Sequence, residues 1–351
     1  MGKGLTMSGL PDLSPYRALL GEAPLAKLRA AVAGVPAGTP VGIALSAGPD
    51  SAMLALAAAL ALRDRPLRAF HVHHGLQAEA DAWSARAGAL CALLGLPFQV
   101  ARVSVPADGS GIEAAARQAR YGALAQMAGA AGVGHILLAH HRDDQAETVL
   151  LRLLRGAGVA GLAAMRAEHR RDGLVYLRPW LDIGRDTLRD AAQAFARVSG
   201  WQAVDDPTNA DPRYTRAAVR TALGPALAAR WPGWQSIVAR HARQMAEAAD
   251  ILDEVARADF AALAPGPQGQ DFSLAAWRGL SAPRQAQVLR HWLHGQGLRM
   301  PSEARLQELM RQLRQLHALG HDRDLRLLHD GHEIRCQRGR VSVMRQVDKL
   351  A

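Results

Sequence analysis

Between about residues 40 and 180 the chain alternates between short apolar runs and longer segments in which apolar residues recur at helical spacing. An apolar run of about five residues predicts a strand, and a periodic segment of about 12 or more residues predicts a helix. The predicted strand and helix pairs are 41–45 with 51–63, 67–73 with 79–94, 98–105 with 112–130, and 135–140 with 143–154. This alternation predicts a doubly wound, Rossmann-like α/β domain with a parallel sheet, whose ligands bind at the carboxyl ends of the strands.

After about residue 222 the alternation stops and long helical patterns follow. The chain closes with a strand-like segment, 324–347, in which Asp330-Gly331 and Arg338-Gly339 are expected hairpin turns. We therefore predict an N-terminal domain over residues 1–222 and a second, mainly helical C-terminal domain over residues 223–351.

The charge of the chain favours a polyanionic partner. A net charge of +10 and a pI near 10.6 suit a protein that neutralises phosphates, so nucleic acid is the favoured partner class. Only Lys3, Lys27 and Lys349 among the 42 basic residues are lysines, which leaves 39 arginines. Because the chain is also rich in alanine, we attribute most of this skew to genome composition.

Composition also narrows the expected cellular compartment of the protein and the roles that its two cysteines could have. The sequence shows no run of 18 apolar residues and no secretory leader pattern, so we expect a cytoplasmic protein with no membrane partner. Cys91 and Cys336 lie far apart without metal-ligand spacing, which argues against a disulfide framework and a zinc site. A homodimer is compatible with the sequence, which does not decide the oligomeric state.

The segment SAGPDS, residues 46–51, lies between the first strand and its helix. A strand–turn–helix with a glycine and two serines offers free backbone N–H groups and a helix N-terminus to an anion. Asp50 would repel a phosphate unless a divalent cation lay between them, which suggests Mg²⁺. The alternative is that Asp50 and Ser51 only cap the helix, and the loop by itself leaves both readings open.

A second cluster follows the fourth strand. His140, Asp144 and Glu147 fall at i, i+4 and i+7, which on one helix face could hold a metal or orient an amine. The alternative is an acidic first helical turn exposed to solvent. At the far end of the same helix, Arg155 precedes Gly156, and these residues are either a phosphate contact or a simple glycine stop.

Histidines and arginines near the other strand ends add candidates. His71 and His73 share a strand face and could form a metal pair, but a single histidine at the functional edge is more economical, and we choose His74. Arg117 and Arg120 could clamp or stack on a nucleotide, or they could lie on a solvated helix face.

With these motifs in order, the chain resembles the tRNA(Ile)-lysidine synthetases, a family of the PP-loop (N-type) ATP pyrophosphatase superfamily with an adenine nucleotide alpha hydrolase-like fold. The family loop SGGxDS corresponds to SAGPDS. The more specific matches are HHGL, IEAAARQARYGAL, HHRDDQAETVLLRLLRGAGVAGL, LRPWLDIGRDTL and DDPTNADPRYTR, and together the matches run from about residue 40 to the end.

The resemblance implies the reaction. ATP would adenylate the C2 carbonyl oxygen of the wobble cytidine of a tRNA(Ile) with a CAU anticodon, releasing pyrophosphate, and L-lysine would then displace AMP. The domain over 1–222 would be catalytic, and the domain over 223–351 would bind tRNA or another substrate. The implied ligands are ATP and Mg²⁺, with Asp50 as the metal ligand.

The resemblance also implies residue roles, which are carried over position by position. The implied catalytic residues are Asp50, His140, Asp144 and Glu147. The implied ATP-binding residues are Ser46, Ala47, Gly48, Pro49, Asp50, Ser51, His74 and Arg117. The implied tRNA contacts are Arg120, Arg155, Arg216 and Arg220.

Some positions depart from the family pattern. Ala47 replaces a glycine, and alanine would cost about 1 kcal/mol or more if this position requires a positive φ. Gln77 replaces an arginine, His73 an asparagine and Ala217 another asparagine. Two alternatives to the synthetase therefore remain: a weak or inactive tRNA-binding homologue, and another PP-loop enzyme that modifies tRNA.

Overall fold

The computed structural model describes residues 11–75, 79–104, 112–209, 211–316 and 325–345. The chain divides into two compact units, Met1–Ala246 and Glu247–Ala351. The prediction at Gln77 lies outside the described residues. The division falls later than the predicted boundary at residue 222 because Val238 and Ala242 pack against Val149 and Ala164 of the first unit.

The first unit contains a six-stranded sheet. Its strands are β1 (Val41–Ala44), β2 (Leu67–His73), β3 (Phe98–Arg102), β4 (His135–Leu137), β5 (Glu168–Arg171) and β6 (Leu174–Leu177). The spatial order is β3-β2-β1-β4-β6-β5, and all neighbours are parallel except β5, which pairs antiparallel with β6. The predicted doubly wound α/β fold is confirmed.

The described helices of the first unit include the connections between its parallel strands, and the last of them continues into the second unit. They are α1 (Ser14–Leu20), α2 (Glu22–Ala31), α3 (Pro49–Ala61), α4 (Ala80–Leu94), α5 (Ile112–Ala130), α6 (Arg142–Leu154), α7 (Val159–Leu162), α8 (Arg185–Ser199), α9 (Thr215–Ala218), α10 (Gly224–Arg230) and α11 (Trp234–Ala262). A π-helical turn, Val219–Leu223, joins α9 to α10. No helix among the described residues is both long and apolar enough to cross a lipid bilayer.

Two apolar cores lie on the two faces of the sheet. Helix α3 is apolar on every side, and it is buried against β1, α2 and α8 because a helix without a polar face needs cover all round. On the other face, Tyr121 of α5 packs edge-on against Tyr176 of β6, with ring centroids 5.0 Å apart. These two layers fix the carboxyl edge of the sheet, where β1, β2 and β4 end.

Two features of the first unit had no counterpart in the predicted elements. Helices α1 and α2 pack beside α3, and the carbonyl oxygen of Pro24 accepts a hydrogen bond from the Trp180 indole at 3.0 Å. Strand β5 is polar and lies at the sheet edge, where Asp172 and Gly173, with φ of 52° and 76°, form the turn into β6. The Asp-Gly pair was a usable hairpin signal for this strand.

The second unit combines helices with a four-stranded antiparallel sheet. Its remaining elements are β7 (Asp271–Ser273), α12 (Leu274–Arg278), α13 (Ala282–Gly295), α14 (Glu303–Gln315), β8 (Leu325–His329), β9 (His332–Gln337) and β10 (Arg340–Arg345). The sheet order is β7-β10-β9-β8 around a core that includes Trp277 and Trp292. The predicted hairpin turns at Asp330-Gly331 and Arg338-Gly339 are present, with positive φ at all four residues.

Candidate functional site

The predicted phosphate loop lies directly after β1. The Ser51 hydroxyl accepts from the Ser46 backbone N–H at 3.1 Å and donates to the Gly48 carbonyl at 3.1 Å, while the two serine hydroxyls are 3.0 Å apart. These bonds fold the loop over the N-terminus of α3, which starts at Pro49. Among the described residues no side chain caps this helix, so the capping reading of Asp50 and Ser51 does not describe the structure.

Asp50 is the loop residue with unused bonding capacity. Its Oδ1 atom is buried without a hydrogen-bond partner among the described residues, and its Oδ2 atom lies 3.6 Å from Nε2 of His141. A buried carboxylate oxygen without a donor is costly unless a ligand satisfies it. This donor set fits Mg²⁺, which is commonly held by one or two carboxylates together with substrate phosphates.

Ala47 adopts the backbone conformation that makes it unusual. Its φ is +65°, its side chain is fully buried, and its carbonyl oxygen accepts from the Val204 N–H at 2.9 Å. The left-handed region costs an L-residue with a Cβ about 1–2 kcal/mol. The condition under which alanine would be strained at this position is therefore met.

His141, rather than His140, is the histidine that meets carboxylates. Its ring lies 3.6 Å from Asp50, 3.5 Å from Asp144 and 3.9 Å from Asp143, and the residue is only 1% exposed. It is the N-cap of α6 in a capping box: Nδ1 accepts from the Asp144 N–H, and the Asp144 carboxylate accepts from the His141 N–H. In the neutral ring the proton therefore sits on Nε2, which faces Asp50.

The nearby carboxylates change the pKa of His141 more than its burial does. Burial lowers the pKa of His141, but the hydrogen bond to Asp50 and the charges of Asp144 and Asp50 raise it, and the net shift is upward. Sequence reasoning missed His141. The usable signal was its place three residues before Asp144 at the start of a helix, which is the spacing of a capping box.

His140 lies in an arginine-rich environment. Its pKa is lowered well below the ordinary value, first by burial and then by the charges of Arg178 and Arg120, with Arg216 and Arg117 next. The spacing argument that joined His140 to Asp144 and Glu147 fails because α6 begins only at Arg142, so His140 is not on its face. A neutral His140 among arginines faces an anion-binding environment rather than an ammonium site.

Glu147 is buried and already paired with two cations. Its carboxylate accepts from Arg185 at 2.9 Å and from Arg220 at 2.9 and 3.0 Å. Burial raises the pKa of Glu147, but the hydrogen bonds and charges of Arg220 and Arg185 lower it by more than burial raises it, so the net shift is downward. Arg220, which was predicted to contact tRNA, forms this ion pair with Glu147, and Arg185 was not predicted.

A group of arginines surrounds the Tyr121 ring. The guanidinium carbons of Arg117, Arg120 and Arg171 lie 5.1, 5.7 and 4.7 Å from the ring centroid. Arg178, which is 5% exposed, hydrogen-bonds the same tyrosine. This cluster supplies positive charge beside His140, as a phosphate site requires.

Three other predicted residues have simpler settings. His74 is half-buried, and burial followed by the charge of Arg120 lowers its pKa. The Arg216 guanidinium donates to the Thr148 hydroxyl at 3.2 Å, and Arg155 is exposed at the end of α6, where Gly156 with φ of 74° completes the glycine stop.

The metal-pair reading of His71 and His73 does not describe the structure. The Nδ1 atom of His71 hydrogen-bonds the Leu45 carbonyl at 2.8 Å, and Nε2 of His73 lies 3.2 Å from Asp81. Within the ranges that the structure describes, no group of three or more histidine, cysteine or acidic side chains could hold a metal ion.

Comparisons with known proteins show which family the chain belongs to. The PP-loop domain family matches residues 25–227, and the TilS substrate binding domain family matches residues 272–342. A tRNA(Ile)-lysidine synthase from Bordetella bronchiseptica is 66% identical over 308 residues, which cover 87% of this chain and 90% of that protein. The chain belongs to the tRNA(Ile)-lysidine synthase family.

A more distant member of this family and one solved structure are also similar to the chain. A tRNA(Ile)-lysidine synthase from Polaromonas naphthalenivorans is 42% identical, with 89% of this chain and 95% of that protein covered. The U34-tRNA thiolase NcsA from Methanococcus maripaludis, solved with its [4Fe-4S] cluster, has a TM-score of 0.53 at 16% identity over 64% of this chain and 78% of that one. This last likeness shows the fold alone.

The cysteines of this family member are placed as structural residues. Cys91 and Cys336 are both buried, and burial raises the pKa of Cys91 to about 12. A thiol with so high a pKa is a poor nucleophile and metal ligand. This setting disfavours the alternative of a sulfur-transferring PP-loop enzyme.

Proposed function

We propose that this protein is a tRNA(Ile)-lysidine synthetase: it uses ATP to join L-lysine to C2 of the wobble cytidine in a tRNA(Ile) with a CAU anticodon, through an adenylated tRNA. The observation that carries the proposal is the 3.6 Å approach of Asp50 to His141. This distance supports the proposal because the loop proposed to hold ATP is then next to the helix proposed to hold the amine. The proposed compartment is the cytoplasm.

The loop would bind the phosphates of ATP. The hydroxyls of Ser46 and Ser51 lie 3.0 Å apart at the N-terminus of α3, where the helix dipole favours negative charge. The free Oδ1 atom of Asp50 would hold Mg²⁺, which when bound would neutralise charge that develops on the α-phosphate and on pyrophosphate. Because a cation and a helix N-terminus supply the positive charge, the loop needs no lysine.

The amine of lysine would be held by carboxylates beside His141. Asp144 retains partial exposure, whereas the Glu147 carboxylate is already neutralised by Arg185 and Arg220. Asp144 is therefore the proposed ammonium partner, and Glu147 orients the two arginines. The amine must lose a proton before it attacks, since only its neutral form is a nucleophile, and His141 with its adjoining carboxylates is the proposed relay.

The arginine cluster would bind phosphates of ATP or of the tRNA. A neutral His140 can donate a hydrogen bond to a phosphate or carbonyl oxygen without adding charge, while Arg117, Arg120 and Arg178 supply the charge. These proposed roles follow from the arginines that surround the Tyr121 ring and from the charges beside His140. They replace the predicted combination of His140 with carboxylates.

The test is lysine transfer. The protein is incubated with ATP, labelled lysine and a CAU-anticodon tRNA(Ile) transcript, and label on the tRNA and release of AMP are measured. We expect transfer by the parent protein and at least a hundredfold loss in Asp50→Asn, which keeps the side-chain shape but weakens the cation site. Lack of transfer by the parent would instead support the inactive tRNA-binding homologue.

A further inference from the structure

Residues 212–246, here called the arginine segment, concentrate the charge of the chain. They contain Arg213, Arg216, Arg220, Arg230, Arg240 and Arg243 and no aspartate or glutamate. A tenth of the chain thus carries +6 of the net charge of +10. Arg216 and Arg220 reach into the site, while Arg230, Arg240 and Arg243 are exposed.

Helix α10, in the middle of this segment, is poorly covered. None of the residues Gly224–Arg230 is buried. Helix α10 continues the helical backbone of α9 and of the π-helical turn Val219–Leu223. Its residues therefore leave surface that a partner could contact.

Large apolar side chains of the arginine segment also face solvent. Leu223 is 41% exposed, Ile237 50% and Trp231 55%. Single exposed apolar residues are ordinary, but several of them within one carboxylate-free segment suggest a recognition surface.

Trp231 is held in a defined position by the turn between α10 and α11. Its carbonyl oxygen accepts from the Trp234 N–H at 3.1 Å, and Gly233 with φ of 76° closes the turn. Trp234 is 7% exposed, so one tryptophan anchors the turn and the other projects from it. The Arg230 guanidinium carbon lies 6.0 Å from the centroid of the exposed Trp231 ring.

We propose that Trp231 is a stacking platform for an unpaired base of RNA and that exposed arginines of the arginine segment contact the adjoining phosphates. An exposed indole beside arginine is the combination with which proteins bind single-stranded RNA. A segment with no carboxylate attracts a polyanion more strongly than it would attract a mixed-charge protein surface. The proposal rests on the proposed function in that tRNA is the expected RNA.

The surface is close enough to the site to act on the same RNA molecule. Trp231 follows Arg220 by eleven positions of nearly continuous helical backbone, and at 1.5 Å per residue this is about 16 Å. An RNA loop whose reacting base lies in the site would therefore extend across the arginine segment.

Binding of two RNA probes by the full chain tests the proposal. One probe is an RNA hairpin with a seven-nucleotide loop, and the other is a blunt duplex of the same stem without a loop. We expect Trp231→Ala to weaken hairpin binding at least tenfold, or about 1.4 kcal/mol, and duplex binding less than twofold. Trp231→Phe keeps an aromatic face, so we expect it to retain most of the affinity.

Val198→Ala is the matched control, since Val198 is 57% exposed on α8, outside the arginine segment. Arg240→Gln should lower the slope of log K against log salt by about 0.7, because one phosphate contact is lost. Hairpin affinity within twofold of the parent in Trp231→Ala would overturn the stacking platform. So would a dimer, detected by light scattering, that Trp231→Ala dissociates, because the surface would then bind a second copy.

Failure of the stacking proposal can be distinguished from failure of the proposed function. If the Trp231→Ala variant transfers lysine to tRNA at the rate of the parent protein and binds the hairpin as tightly as the parent does, the stacking proposal fails and the proposed function stands. If the parent transfers no lysine but Trp231→Ala still loses loop binding selectively, the stacking proposal stands without the enzyme activity.

Discussion

Replacement of Glu147 by alanine should destabilise the first unit strongly. The Glu147 side chain is 4% exposed and neutralises Arg185 and Arg220, whose side chains are 17% and 29% exposed. Removal of one partner from a buried ion pair costs about 3–5 kcal/mol because the remaining charge stays buried and unpaired. Partial exposure of both arginines places the expected loss at the lower end, about 3 kcal/mol.

Urea denaturation followed by circular dichroism measures this loss. With a urea dependence of about 2–3 kcal/mol per molar, the midpoint should fall by about 1 M or more. Arg220→Ala should cost less, about 1.5–2 kcal/mol, because Arg185 still neutralises Glu147. Glu308→Ala is the control: its ion pair with Arg311 is on the surface, and we expect no measurable change in the midpoint.

The reasoning would be refuted by a midpoint shift in Glu147→Ala that is no larger than in the Glu308→Ala control. Glu147 would then be an open carboxylate in solution, available to a substrate, rather than the centre of an ion-pair cluster. A large shift with Arg220→Ala and none with Glu147→Ala would also contradict it.

The ion pairs of Glu147, whose pKa is lowered, should stabilise the protein fully above the ordinary carboxyl pKa and lose this effect as the pH falls below about 4, which urea midpoints across pH would show. Ala47→Gly relieves the strain of a positive φ but removes a buried methyl group, so it should change the free energy of unfolding by less than about 1 kcal/mol. Ala47→Val keeps the strain and adds bulk at a fully buried position, so it should clearly lower the melting temperature. Cys91, with a pKa raised to about 12, should resist alkylation by iodoacetamide at pH 8 in the folded protein and react after unfolding. His141→Ala should lower kcat for lysine transfer more than His140→Gln, since glutamine also offers a neutral donor; equal losses would contradict the separate roles.

The sequence predicted the elements that depend on local pattern. Alternating apolar runs and periodic segments fixed the positions of β1, β2 and α3 within a few residues, because strand and helix periods are local properties. The phosphate loop and the turns at Asp330 and Arg338 were also readable, since few residue types adopt the required backbone conformations.

The site residues were only partly readable. Asp50 was predicted as a metal ligand because a carboxylate in a phosphate-binding loop needs a cation beside it, and this role stays a prediction. His140 was placed with Asp144 and Glu147 by a spacing rule that holds only inside a helix, and the helix starts after His140. The rule was applied to a residue that precedes the helix, and His141, the N-cap of the helix, is the histidine that lies beside Asp50 and Asp144.

By itself, the sequence determined the α/β class, the carboxyl edge at which ligands would bind, and the excess of positive charge. Only the tertiary structure decided that Arg185 and Arg220 neutralise Glu147, that His140 lies among arginines, and that Trp231 faces solvent while Trp234 does not. These outcomes depend on contacts between residues far apart in the chain, for which hydrophobic pattern and residue spacing carry no information. Backbone periodicity is local, whereas charge pairing and exposure are set by the packing of separate elements.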